Sequence, residues 1–297
     1  MISLVLAVAL AGGASIAQPA ATPAPSPSAA PVAAATIGVV PRPCDVLEPQ
    51  PPAVKAFDAR VAAAKANHLP PPEPSAEVAA ASKAWWVRRT LDDFGDLCRY
   101  RKANAALPPA TSHRVVFIGD SITESWGEGD PTLFTHDVID RGISGQTTPQ
   151  MVLRFRADVL DLKPAVVHIL AGTNDIAGNT GPTSLEAMEN NIKTMVELAQ
   201  AHHVRVILGS LTPVARYPWR PSIEPVQAIL AFNHWLKTYA HGQGLIYVDY
   251  FTPLDDGHHG FKAKLSVDGV HPDPAGFAVM SRLARQAVIE AQSAAPR

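Results

Sequence analysis

The second half of the chain alternates short apolar runs with longer segments in which apolar residues recur every three or four positions. The short runs lie at residues 114–118, 137–141, 165–170, 204–208 and 245–249. The periodic segments begin at Thr148, which is predicted to cap the helix ahead of Pro149, then cover about 184–202 and 224–241, and resume near Pro274. Apolar strands that alternate with amphipathic helices indicate a parallel sheet with helices on both faces.

The first 51 residues have a composition unlike the rest. Residues 1–17 are apolar and end in small residues, which predicts a secretory signal peptide. No Lys or Arg precedes the apolar run, so retention as an anchor stays open. Residues 18–51 are rich in Pro and Ala, which predicts a flexible linker. We expect a secreted or periplasmic protein with no stable membrane insertion after signal cleavage.

Residues 52–107 are Ala-rich and predict a helical extension ahead of the main domain at 108–297. Prolines at 70–72 separate two predicted helices, the second of which covers 76–104. The only cysteines, Cys44 and Cys98, form an even pair in a chain expected to be exported, which predicts a disulfide. Two unrelated buried thiols are the alternative. We expect Trp85 and Trp86 to pack the extension onto the core.

Charge and composition exclude some partners. The chain is 47% hydrophobic, which is enough for a large core, and its formal net charge is -2. No run of Lys or Arg suggests a nucleic-acid or anionic-membrane surface, so we expect no nucleic-acid partner. The sequence leaves the oligomeric state unknown.

Polar residues follow the predicted strands, and the site of a parallel α/β sheet lies at the carboxyl ends of its strands. Ser121 follows the first strand at the start of a helix, where a serine is most often a helix cap. Gly145 follows the second strand and could offer its amide to an anion, or it is a turn glycine. Asn174 follows the third strand and carries a neutral amide donor suited to an oxyanion.

Asp268 and His271 lie three residues apart across a glycine turn near the C-terminus. Such spacing can place both side chains in one small loop. A histidine that acts as general base needs a partner that fixes its tautomer and stabilises the imidazolium, and an aspartate can supply both. The alternative is a solvated carboxylate beside a surface histidine.

Four blocks together resemble the SGNH hydrolases, also called GDSL-type lipases and esterases, over about residues 114–291. The blocks are Gly119-Asp120-Ser121, Gly145, the Gly-Thr-Asn-Asp of 172–175 and the Asp-Gly-Val-His-Pro of 268–272. Ile122 replaces the leucine of the namesake motif. The resemblance implies a flavodoxin-like, three-layer α/β/α fold and hydrolysis of acyl esters without a metal or an organic cofactor.

The resemblance also implies a role for each matching residue. Ser121 would be the nucleophile and His271 the general base, with Asp268 orienting His271. The Ser121 and Gly145 amides and the Asn174 side chain would form the oxyanion hole. No Gly-x-Ser-x-Gly elbow is present, which argues against the α/β-hydrolase fold.

These residues predict a serine esterase acting on short acyl esters, acetyl esters among them, of a small molecule or carbohydrate. A thioesterase or lysophospholipase with the same residues is one alternative, and a non-catalytic carbohydrate-binding module on the same fold is another. A metal-dependent hydrolase built on His258, His259 and His271 is a third. Four loop aromatics are candidates either for packing or for a substrate platform: Trp126, Tyr217, Trp219 and Phe261.

Overall fold

Five parallel strands in the order β2-β1-β3-β4-β5 form the sheet of the computed structural model, which describes residues 39–67, 69, 72–135 and 137–293. The strands are β1 (Val115–Gly119), β2 (Val138–Gly142), β3 (Val166–Leu170), β4 (Arg205–Gly209) and β5 (Ile246–Val248). The predicted parallel sheet is confirmed, with each strand within one residue of its expected place. Strands β1 and β3 are buried along their whole length because helices cover both faces.

Ten α-helices are described in this part of the chain. They are α1 (Pro52–Ala66), α2 (Ala76–Asp92), α3 (Arg101–Ala105), α4 (Ser121–Gly129), α5 (Thr148–Asp158), α6 (Thr173–Ile176), α7 (Leu185–Ala201), α8 (Val226–Gly242), α9 (Phe251–Leu254) and α10 (Pro274–Ser293), with 3-10 turns at Pro43–Asp45 and Leu160–Leu162. Helices α1, α2 and α3 form the N-terminal extension. The others connect or flank the strands.

Alternate residues of each strand face two separate hydrophobic layers. Val116 and Ile118 of β1 face the layer that α5, α7 and α8 cover. Val115 and Phe117 face the other layer, which α4 and α10 cover. Helix α10 fits that layer because its buried residues recur every three or four positions, as at Phe277, Met280, Ala284, Ala287 and Ala291. The three-layer α/β/α prediction is therefore confirmed.

The structure describes only part of the N-terminal region for which the sequence made predictions. The predicted signal peptide, residues 1–17, and the linker up to residue 38 lie outside the described residues. Residues Cys44–Arg297 group into one compact unit, so the helical extension belongs to the same unit as the sheet. Of the helices described, none has the length and apolar character needed to cross a membrane.

The prediction of one continuous helix over 76–104 is wrong. Helix α2 ends at Asp92, and the separate helix α3 begins at Arg101. The Asp93 carboxylate accepts hydrogen bonds from the backbone amides of Leu97, at 2.9 Å, and Cys98, at 3.0 Å. Such side-chain bonds offer the backbone an alternative to the helix. The disulfide joins Cys44 to Cys98 in this loop, rather than to a helix as predicted.

Candidate active site

Ser121 lies where β1 turns sharply into α4. Gly119 is required at the strand end, since a Cβ there would lie 2.8 Å from the carbonyl oxygen of Leu170. Asp120 caps the helix, because its Oδ1 accepts a hydrogen bond from the amide of Ile122 at 2.9 Å. The capping role that sequence alone allowed for Ser121 thus belongs to Asp120. Ser121 is the first residue of α4 and is half-buried.

Ser121, His271 and Asp268 form a continuous chain of side-chain contacts. The Ser121 Oγ lies 2.9 Å from His271 Nε2. On the other side of the ring, His271 Nδ1 lies 2.7 Å from Asp268 Oδ2. Nucleophile, base and orienting carboxylate at such distances can transfer the hydroxyl proton to the imidazole and stabilise the charge that forms there.

The loop of residues 268–271 orients its own carboxylate. Asp268 Oδ1 accepts hydrogen bonds from the amides of Val270, at 2.9 Å, and His271, at 2.8 Å. Gly269 permits this tight turn with a φ of 76°. Partial burial would raise the pKa of Asp268, but the side-chain hydrogen bond and charge of His271, with the two amides, lower that pKa well below its usual range. The contacts of this loop therefore favour the charged form of Asp268.

Gly145 lies in the loop between β2 and α5 and has a φ of 79°, a conformation that favours glycine. Its carbonyl oxygen accepts a hydrogen bond from Asn179 Nδ2 at 3.2 Å. The start of the loop is tied to β1, since the Ile143 amide donates to the Gly119 carbonyl oxygen at 3.0 Å. The loop of Gly145 is thus held beside the end of β1.

Asn174 lies at the start of the short helix α6, directly after β3, and is buried. Its Nδ2 donates to the Gln146 carbonyl oxygen at 3.1 Å and to Asp120 Oδ2 at 3.2 Å. Its Oδ1 accepts from Asn179 Nδ2 at 2.8 Å. Because these partners come from the loops after β1, β2 and β3, the Asn174 amide joins all three strand ends.

Two buried carboxylates support this junction, and the sequence assigned neither a role. Burial is the main cause that raises the pKa of Asp120 to about 6 and the pKa of Asp175 to about 6. Asp175 Oδ2 accepts from the Thr148 amide at 2.9 Å, which fixes the start of α5. Helix α5 is capped at Thr147 rather than at the predicted Thr148, and the Thr147 amide donates to Gln150 Oε1 at 3.0 Å.

Arg154 is a further residue that the sequence analysis missed. Its guanidinium is fully buried and donates to the carbonyl oxygens of Gly119, at 3.0 Å, and Arg141, at 2.8 Å. It also pairs with Asp158 at 3.1 Å. The cation therefore ties the carboxyl ends of β1 and β2 together. A charged pair four residues apart within the apolar face of α5 was the signal that could have revealed it.

The N-terminal extension contacts the loop of Gly145 and the start of α5. Gln146 Nε2 donates to the Gly95 carbonyl oxygen at 3.1 Å, and Gln150 Nε2 donates to the Phe94 carbonyl oxygen at 2.8 Å. The Tyr100 hydroxyl donates to the carbonyl oxygen of Gly142 at the end of β2. The extension thus supports the site, a role that no motif in residues 52–107 predicts.

The candidate aromatics divide between packing and exposure. Trp126 and Tyr217 are fully buried, with hydrogen bonds to Ser281 Oγ and the Thr173 carbonyl oxygen, respectively. Phe261 is half-buried against the layer of α4 and α10. Trp219 is 42% exposed and its ring stacks near that of His271, with centroids 6.3 Å apart. Trp219 alone of these four borders the candidate site with an exposed face.

The histidines considered for a metal do not form a ligand set. Within residues 39–67, 69, 72–135 and 137–293, no group of three or more His, Cys, Asp or Glu side chains is placed to hold a metal ion. The His259 amide is bonded to Asp255 Oδ1 at 2.8 Å, while the His271 ring contacts Ser121 and Asp268. His258, His259 and His271 therefore do not meet as the alternative required.

Known proteins match the region that contains this geometry. Residues 117–279, more than half of the chain, match the model of the GDSL-like Lipase/Acylhydrolase family. The structure of a candidate acylhydrolase from Bacteroides fragilis NCTC 9343 is 41% identical, with a TM-score of 0.65. That match covers 67% of this chain and 99% of the Bacteroides chain.

Two further relatives are more distant or match over a shorter stretch. Esterase TesA of Pseudomonas aeruginosa is 26% identical over 55% of this chain and 81% of the esterase. An uncharacterised lipoprotein, YqeF of Bacillus subtilis, is 37% identical over 26% of this chain, and the match spans 33% of the lipoprotein's length. The family match and the Bacteroides structure agree with the four sequence blocks. The chain belongs to the GDSL-like lipase/acylhydrolase family of carboxylic ester hydrolases.

Proposed function

We propose that this protein cleaves short-chain acyl esters, acetyl esters first among them, through an acyl-serine intermediate on Ser121. The observation that carries the proposal is the unbroken contact from Ser121 Oγ through the His271 ring to Asp268, with steps of 2.9 Å and 2.7 Å. A non-catalytic binding module would have no need for this alignment. The intact set therefore favours an enzyme.

The first half of the reaction forms the acyl-enzyme. His271 Nε2 takes the Ser121 proton as Oγ attacks the ester carbonyl carbon, and Asp268 stabilises the resulting imidazolium. The tetrahedral intermediate then collapses as His271 returns the proton to the departing alcohol. In the second half, water replaces Ser121 as the nucleophile and releases the acid.

The proposed oxyanion donors are the amides of Ser121 and Gly145 and the side chain of Asn174. The Ser121 amide lies in the first turn of α4, where the helix dipole favours negative charge. Both contacts of Asn174 Nδ2 are longer than 3.0 Å. An oxyanion would take one of these two hydrogens from its present acceptor, Asp120 or Gln146, while the other hydrogen keeps the side chain in place.

The groups that surround the nucleophile support a short acyl group and a polar alcohol. Gly145, Asn174, Asn179 and His271 offer amide, carboxamide and imidazole groups at this site. A fatty chain gains its binding energy from apolar area removed from water, about 25 cal/mol per Å². These polar groups offer little such area and favour a small acyl group.

Export of the chain is part of the proposal. The disulfide between Cys44 and Cys98 supports an oxidising compartment, and the Bacillus relative is a lipoprotein by its name.

The experiment that tests the proposal compares the native chain with Ser121→Ala on ethyl esters of increasing acyl length. We expect the native chain to have its highest kcat/KM on the acetyl ester. Ser121→Ala should lower kcat by at least about 10⁴-fold. Ser293→Ala, at an exposed serine at the end of α10, is the matched control. Turnover by Ser121→Ala at the native rate would refute the nucleophile assignment, and a preference for long acyl chains would refute the substrate class.

A further inference from the structure

Helix α2 of the N-terminal extension brings an exposed tryptophan to the proposed oxyanion loop. Trp86 is 36% exposed, and its Nε1 lies 3.8 Å from the position a Cβ on Gly145 would occupy. The same position lies 3.8 Å from Asn179 Nδ2. Trp86 therefore lies against the loop of Gly145, and part of its side chain stays exposed. It lies beside a residue that we assign to the oxyanion hole.

The segment that follows Trp86 is fixed to the core, so the position of the indole is defined. The Gly95 and Phe94 carbonyl oxygens accept from Gln146 and Gln150, at 3.1 Å and 2.8 Å. Arg89 on α2 also pairs with Asp96, with an Nε to Oδ1 distance of 3.0 Å. The loop after α2 is thus hydrogen-bonded to the loop of Gly145 and to α5. The Arg89–Asp96 pair in turn holds the end of α2 to that loop.

Trp219 reaches the same place from the loop after β4. Its Nε1 donates to Asn179 Oδ1 at 3.4 Å, and Asn179 in turn donates to the Gly145 carbonyl oxygen at 3.2 Å. Trp86 and Trp219 therefore both approach the Gly145–Asn179 pair, and Trp219 also stacks near His271. Two exposed indoles beside polar amides combine flat apolar faces with hydrogen-bonding groups.

Such a surface suits a ring that has an apolar face and polar edges. Large apolar side chains exposed beside a reactive group commonly mark a ligand contact, and indole rings offer a rigid face with little entropy to lose. A sugar ring has axial C–H groups for the indole faces, and one of its hydroxyls can donate to the remaining lone pair of Asn179 Oδ1. A simple alkyl alcohol would gain only the contact with the indole faces.

We propose that Trp86, supplied by the N-terminal extension, is a specificity-determining residue that binds the sugar ring of an acylated carbohydrate while Ser121 attacks the ester. This inference rests on the proposed function, because it assigns the alcohol side of that reaction. Trp86 lies outside residues 117–279, the part of the chain that matches the family model. The extension thus adds a substrate contact to a site whose reactive groups belong to the family region.

The test uses the full chain and measures kcat/KM on acetylated xylobiose, ethyl acetate and ethyl octanoate by titration of the released acid. The selectivity ratio is kcat/KM for acetylated xylobiose divided by kcat/KM for ethyl acetate. Trp86→Ala is expected to lower this ratio about tenfold. The loss should appear largely as a higher KM for acetylated xylobiose. Trp86→Phe keeps an aromatic face and should retain most of the ratio.

Trp85→Ala is the matched control, because the neighbouring Trp85 donates from Nε1 to the Glu48 carbonyl oxygen ahead of α1, at 3.4 Å. The ratio in this variant should equal that of the native chain. An equal fall on all three esters in Trp86→Ala would show a purely structural role and overturn the inference. A larger fall on ethyl octanoate would assign Trp86 to the acyl side and overturn it as well.

The two proposals fail in different ways. If the native chain hydrolyses no ethyl ester, or if Ser121→Ala does so at the native rate, the proposed function fails. If ethyl acetate is hydrolysed in a Ser121-dependent reaction but the ratio does not change in Trp86→Ala, only the assignment of Trp86 fails.

Discussion

The two halves of the candidate site are held in place by different kinds of contact. The proposed acid–base pair is local, because Asp268 and His271 lie in one four-residue loop whose own amides orient the carboxylate. The proposed oxyanion side is distributed. Gly145 and Asn174 come from different loops, and their positions depend on Asp120, Arg154 and the N-terminal extension. A local half can be recognised in a sequence, whereas a distributed half has to be seen in three dimensions.

The largest expected effects test the local half. His271→Ala removes the proposed base and should lower kcat by about 10⁶-fold. Asp268→Asn should lower it by about 10⁴-fold, because an amide in place of the carboxylate favours the wrong imidazole tautomer. Steady-state kinetics on ethyl acetate provide both values. If Asp268→Asn is as inactive as His271→Ala, or more so, the orienting role of Asp268 is wrong.

The next effect tests the distributed half. Asn174→Ala should lower kcat by about 10²–10³-fold, with a smaller change in KM, because the donor acts chiefly on the charge of the transition state. Asn190→Ala, on the exposed face of α7, is the matched control and should keep native kinetics. A loss of less than about fivefold in Asn174→Ala would exclude its side chain as an oxyanion donor.

The smallest effect concerns Asp120, which accepts a hydrogen bond from Asn174 on the distributed side. The pKa of this carboxyl is raised to about 6 by burial, above the value of about 3.9 in an unfolded chain. Its ionisation therefore destabilises the folded state as pH rises from about 4 to 6. Asp120→Asn keeps a capping oxygen but removes that charge, so its Tm relative to the native chain should be higher at pH 8 than at pH 4.

Thermal unfolding at the two pH values measures this difference, with Asp161→Asn at an exposed site as the control. An equal Tm difference at pH 4 and pH 8 for Asp120→Asn would contradict the raised pKa. The kinetic effect should be smaller than that of Asn174→Ala, since Asn174 keeps its amide donor and its hydrogen bond to the Gln146 carbonyl oxygen in Asp120→Asn.

The sequence was sufficient for the sheet and for the residues that meet at its edge. The strands were found within one residue because buried parallel strands leave continuous apolar runs. Ser121, Asn174 and His271 were found because each directly follows a strand or lies in a short motif. The break after α2 was missed because it depends on the Asp93 side chain competing for backbone amides.

Contacts between distant parts of the chain could not be predicted from the sequence. Gln146 and Gly95 are 51 positions apart, and no local pattern indicates that they meet. Arg154 was hidden for a related reason, since two of its four hydrogen-bond partners are backbone carbonyl oxygens, which every residue carries. The position of Trp86 beside Gly145 depends both on contacts between distant residues and on hydrogen bonds to backbone carbonyl oxygens. It could therefore only be assigned to packing before the structure was known.

The disulfide has a further consequence for the extension. With Cys44 and Cys98 joined, the chain between them forms a closed covalent ring that contains α1, α2 and Trp86. A protease that cuts once in the segment between α1 and α2 opens this ring but releases no fragment, because the disulfide still connects the two pieces. The extension can therefore be nicked there and keep α1 attached to the enzyme through the disulfide, while Trp86 stays attached through the main chain.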